Sequence, residues 1–177
     1  MKSLRYALLV LPLLASGCIL VSGQFLVNFD LGTIQVNSPT DVVGRDVDLN
    51  DIGDYNDHKD ELKGLADVAV LGMITNQGTE AIDVDIWMTP DFTSFTDAAS
   101  VQGTGVRLWG PLHLDPGESR RVDWDTSAGL FDPLGKTTLL GEVKGDGQFT
   151  VYALARSGNY QFSVTEGQVV LVLDAGK

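Results

Sequence analysis

The chain has 177 residues, 44% of them hydrophobic, with 24 acidic side chains against 12 basic ones and a net charge of −12. A surface this acidic repels a phosphate backbone and anionic headgroups, which excludes nucleic acid as a partner and leaves no basic patch to hold a membrane. With Cys18 the single cysteine there is no intramolecular disulfide, so stability must come from apolar burial, which one domain of this length and composition can supply.

At the N-terminus Lys2 and Arg5 precede an apolar run from Tyr6 to Leu14, and the small residues Ala15, Ser16 and Gly17 lead into Cys18. This is the layout of a bacterial export signal. The segment Leu14-Ala15-Ser16-Gly17-Cys18 resembles the lipobox of bacterial lipoproteins, with Ala15 standing where Leu is most usual. That resemblance implies residues 1–17 as a cleaved signal peptide, Cys18 as the acylated first mature residue and residues 18–23 as a short lipidated tether. By the sorting habit of enterobacterial lipoproteins, Ile19 in place of Asp after the cysteine implies the outer membrane. Ala15 and Gly17 also suit ordinary signal peptidase. The apolar run through Val21 would otherwise anchor the chain, but it is shorter than the ~20 residues a spanning helix needs. An unpaired thiol in an oxidising compartment favours acylation, and several acyl chains exceed the two signals that stable anchoring requires. Cleavage would remove two basic residues and no acidic one, leaving −14.

The remainder, residues 24–177, reads as one β domain. Gln24 to Asp30 alternates with Phe25, Val27 and Phe29 on one side, and Thr33 to Asn37 reads as a second strand ended by Ser38-Pro39. Next comes an acid-rich segment. Asp46-x-Asp48-x-Asn50 matches the first three ligand positions of a calcium loop, and Asp54 and Asp57 fall at the ninth and twelfth. Asp51 occupies the sixth position, where a glycine is needed, and Asp57 is short for a bidentate ligand. A simpler reading makes Asp46 to Asn50 a strand with one wet face. Asp54 is then a helix cap, Lys63 lies in the last turn and Gly64 at the stop, with Tyr55, His58, Leu62 and Leu65 on one helix face.

From Asp67 to Thr75 the chain is apolar on both sides, as in a central strand. Asn76-Gln77-Gly78 turns it into Thr79 to Met88, and the two strands read as a hairpin. Asp91 to Ser100 carries Phe92, Phe95 and Ala99 at helical spacing. Val106 to Leu114 alternates again, with a kink or bulge expected at Gly110-Pro111. Asp115-Pro116-Gly117-Glu118 signals a type II turn, better suited to a corner between sheets than to a tight hairpin. Ser119 to Trp124 is a strand, and Leu130 to Val143 allows a short helix. Gln148 to Arg156, Tyr160 to Thr165 and Gln168 to Asp174 read as an antiparallel meander, with Val169 to Leu173 buried on both faces.

About nine or ten short strands and one or more short helices give an antiparallel β-sandwich. The corner from Leu114 to Ser119 loosely resembles those of immunoglobulin-like bacterial surface domains. No catalytic residue emerges. The two histidines, His58 and His113, belong to no zinc or hydrolase template, and Gly135-Lys136-Thr137 echoes a P-loop whose first Gly would fall at Leu130. The expected role is therefore a non-enzymatic envelope lipoprotein, structural or protein-binding, with no metal or cofactor. Two alternatives are a glycan-binding surface on Trp87 and Trp109, expected to face outward, and a calcium-stabilised adhesion domain on Asp46, Asp48, Asn50, Asp54 and Asp57.

Overall fold

Among the described residues alternating apolar side chains form eight strands: β1 (Ser22–Ser38), β2 (Val42–Asp48), β3 (Leu62–Asn76), β4 (Ile82–Pro90), β5 (Val106–Leu114), β6 (Ser119–Val122), β7 (Gln148–Ala155) and β8 (Tyr160–Gly176). The computed structural model describes residues 22–38, 42–155 and 160–176. Cys18, the expected signal segment, Pro39 and Ser157-Gly158-Asn159 lie outside them. Two four-stranded antiparallel sheets result, in the orders β1-β8-β3-β6 and β2-β7-β4-β5. Their facing sides share one apolar core that includes Val27, Val68, Leu112, Phe149 and Leu171. This is the expected sandwich.

β1 and β8 each run through two of the expected strands. Where turns were expected, the chain bulges. The β1–β8 register slips on both sides of Gly32, which lies opposite Gly167, and the β3–β8 register slips between Leu71 and Met73 at the same level. Gly32, Gly72 and Glu166 all take positive φ, at 62°, 148° and 53°. A row of bulges across three neighbouring strands bends a sheet without reversing it.

Two expected pairings are replaced. β3 and β4 are not a hairpin, since they lie in different sheets, and neither β7 nor the following β8 belongs to a meander. The cause at the first site is Asn76. Its side chain is wholly buried, and Nδ2 donates to the carbonyls of Glu80 (2.8 Å), Asp115 (3.1 Å) and Leu114 (3.2 Å) while Oδ1 accepts from Gly78 N (2.9 Å). These bonds fasten the β3–β4 crossing to the corner between β5 and β6. At that corner Glu118 N donates to Asp115 O and Gly117 supplies φ 73°, carrying the chain from one sheet to the other as expected.

Among the described residues four α-helices fill in the rest: α1 (Gly53–His58), α2 (Ala98–Thr104), α3 (Trp124–Ala128) and α4 (Pro133–Lys144). α1 is shorter than the expected helix, because Leu62 to Leu65 pair with β8 and so belong to β3. Asp54 sits in its first turn and not at its cap, which is Ile52. Asp97, Asp123 and Asp132 cap α2, α3 and α4 with their side chains. α2 begins later than the aromatic spacing implied, because Phe95 packs in an extended loop on Tyr152, whose hydroxyl donates to Thr93 O and accepts from Phe95 N. α4 docks on β5 through Gly135, Leu139 and Val143.

Candidate functional site

The acid-rich segment spends its side chains on holding the edge of the second sheet. Asp46 Oδ1 accepts from Thr150 Oγ1 (2.6 Å), across the β2–β7 ladder. Asp48 caps the 3-10 turn Leu49–Asp51, taking Asn50 N (2.9 Å) and Asn50 Nδ2 (2.8 Å), and receives Gln148 Nε2 (2.8 Å) on its other oxygen. The Asn50 amide first, then the Asn50 backbone N–H and Gln148, hold the Asp48 carboxyl below its ordinary pKa. Asn50 Nδ2 also donates to Asp146 O. Asp54 and Asp57 are exposed on α1. Among the described residues no group of three or more acidic, histidine or cysteine side chains converges as metal ligands would.

The two tryptophans nominated for sugar stacking do not form an outward pair. Trp109 is 0% exposed, and its Nε1 donates to Ser127 O at 3.2 Å. The reason is the bulge at Gly110-Pro111. Val84 pairs with Leu112 and Ile86 with Trp109, so three residues of β5 oppose two of β4, and Trp109 is turned onto the same inner face as Leu112. Strict alternation would have left it outside. Trp87 does lie on the other face of the second sheet, half-buried beside Tyr152 and Phe95, with Nε1 buried and lacking a hydrogen-bond partner. His58, also weighed in the sequence, rests its ring on Phe25 with centroids 4.7 Å apart. Cys18 lies outside the described residues.

What the alternation did not reveal is the space between the sheets. A cavity of about 280 Å³ is enclosed by Val70, Ile74, Val84, Trp109, Phe162 and Val164 among others, and a smaller one of about 100 Å³ lies beside Phe29, Leu139 and Leu171. Val70, Ile86, Val151 and Arg45 border both, so the two spaces adjoin as neighbouring lobes of one apolar region, the channel between the sheets. Gly44 and Arg45 of β2 are exposed, and bring the larger lobe to the surface at that edge. Arg45 is the only charged residue among the described residues lining either lobe.

The size of this space decides its interest. Protein interiors pack as densely as organic crystals, and voids larger than a water molecule are few. A space of about 280 Å³ between the sheets is far more than ordinary core packing leaves. Sequence could not show it, since most of its lining residues are ordinary inward-facing apolar ones. The single irregular signal was Arg45, a charge at the inward parity shared with Val47. Compared with known protein families and with curated proteins, the sequence matches none.

Proposed function

We propose that the chain is a non-enzymatic lipoprotein of the bacterial outer membrane, held by acylated Cys18, whose β-sandwich is a structural or protein-binding module of the envelope. The observation that carries this reading is the closeness of anchor and fold. Only Ile19, Leu20 and Val21 stand between Cys18 and the first residue of β1. Four residue steps reach at most about 14 Å. Ser22 pairs with Gly176 and Leu62 with Ala175, so acylation of Cys18 would hold this end of the first sheet beside the bilayer, with the Asp115–Glu118 corner at the far end.

A protein partner is the occupant that suits the exposed edges. β1 and β2 end their sheets, and β1 offers seventeen residues of backbone along one side, the kind of edge to which an extended segment of another protein adds as a strand. Sugar stacking has lost one of its two rings to the core, and calcium would have to displace the hydrogen bonds that Asp46 and Asp48 already make. In-membrane photo-crosslinking from Gln35 of β1 tests the reading. The expected result is a discrete crosslinked envelope protein in the outer-membrane fraction; a protein recovered in the soluble fraction with no crosslinked product contradicts it.

A further inference from the structure

We propose that the channel between the sheets binds a long-chain fatty acid, with the acyl chain lying between β3, β4, β7 and β8 and the carboxylate held by Arg45 at the β2 edge. The inference stands apart from the reading of Cys18 and does not need it. Its first support is the lining. Val70, Ile74, Val84, Trp109, Phe162 and Val164 offer the larger lobe no unsatisfied donor, because the indole N–H of Trp109 is already given to Ser127 O. Such a surface recognises hydrocarbon and rejects a sugar or a peptide backbone, whose polar groups would be buried unpaired.

Shape and charge then select the kind of hydrocarbon. The larger lobe has nearly twice the volume of the roughly 150 Å³ engineered cavity that accepts a benzene ring, and a smaller space adjoins it across four shared lining residues, so a chain that bends between the two fits better than a rigid fused ring system. The head group is set by Arg45. Its Cα lies opposite that of Val151, whose side chain lines both lobes, so the arginine stem runs along the channel wall while the residue remains exposed. The ion pairs among the described residues use Arg107, Arg120, Arg121, Lys136 and His113, and none uses Arg45. A cation that makes no ion pair among the described residues, at the mouth of an apolar channel, is a local complement to an anionic head in an otherwise acidic chain.

The test uses the full chain carrying Cys18→Ser, purified without detergent, and displacement of a dansyl-labelled undecanoic acid by palmitate or by hexadecanol, an uncharged chain of the same length. The unaltered channel is expected to bind the probe and to prefer palmitate. Arg45→Gln should weaken palmitate by about tenfold while leaving hexadecanol unchanged. Ala153→Phe, which places a ring in the larger lobe, should abolish binding of both. Palmitate should also raise the melting temperature of the otherwise unaltered chain, a readout that does not depend on either variant. Absence of probe binding and of a palmitate-induced rise overturns the proposal. So does equal palmitate affinity in Arg45→Gln, which would make the arginine an inward-pointing guard of an edge strand only, or retained binding in a folded Ala153→Phe protein.

Discussion

Single side chains at the crossings between sheets carry more of the fold than their chemistry announces. Asn76 satisfies three carbonyls and one N–H from two separate crossings while wholly buried. Replacing it with Ala leaves those groups without partners in a place water reaches poorly, and should cost about 3 kcal/mol in urea unfolding, with the slope unchanged. In the sequence the same residue is indistinguishable from the turn asparagine of a hairpin, because its composition cue is identical and only burial separates the two roles. His113 shows how a surface residue can be read by pH. Its Nδ1 lies 2.7 Å from Asp83 Oδ1 and its Nε2 3.6 Å from Asp115 Oδ1, and the hydrogen bond to Asp83, then the two negative charges, raise its pKa above 6.5. A raised value means that the folded state holds the proton more tightly than the unfolded one. The stabilisation is therefore fully present below about pH 6.5 and is lost as the pH rises through the folded value. Melting curves of wild type and His113→Gln should differ most in mild acid and converge in alkali; a difference that grows with pH would contradict the pairing.

At the scale of elements, helix α4 shows two glycines with opposite roles. A Cβ at Gly135 would lie 2.4 Å from Arg107 O and 2.7 Å from Leu108 Cα, so the helix can approach β5 only because that atom is missing. A Cβ at Gly141 would meet nothing within 4 Å. Ala is better than Gly in a helix by about 1 kcal/mol. Gly141→Ala should therefore stabilise the protein by up to about that amount, whereas at Gly135 the clash with backbone outweighs the gain and should destabilise by about 1–3 kcal/mol. Thermal melting of the two single variants measures both signs. The P-loop echo at Gly135-Lys136-Thr137 is accounted for by this docking. The existence of nearly every strand was legible from period-two alternation, as was the corner at Asp115–Glu118. Partners were not. Alternation says which face of a strand is wet, and it cannot say which strand lies alongside, so β3–β4 and β7–β8 read as hairpins. The bulge at Gly110-Pro111 was foreseen as a kink, but its consequence for the facing of Trp109 needed the register against β4.

For the molecule as a whole, the two sheets are woven together. β4 and β5 are the only chain neighbours among the described strands that share a sheet, and every other step between consecutive strands crosses the sandwich. Such a weave is dominated by non-local pairing and leaves the sheets joined along their length, with an apolar channel between them and edge strands β1 and β2 at its side. The resemblance to a lipobox that nominates Cys18 is a local pattern and so can be proposed from sequence, whereas the channel was invisible there because it is a property of how two faces fail to meet. The proposed role in the envelope depends on where the molecule sits, so its decisive question is the fate of Cys18. Metabolic labelling with palmitate, followed by mass analysis of the N-terminal peptide, answers it. The account predicts a mature chain beginning at acylated Cys18, with labelling abolished in Cys18→Ala. A label that persists in that variant, or a mature chain bearing Cys18 as an unmodified thiol, would contradict it.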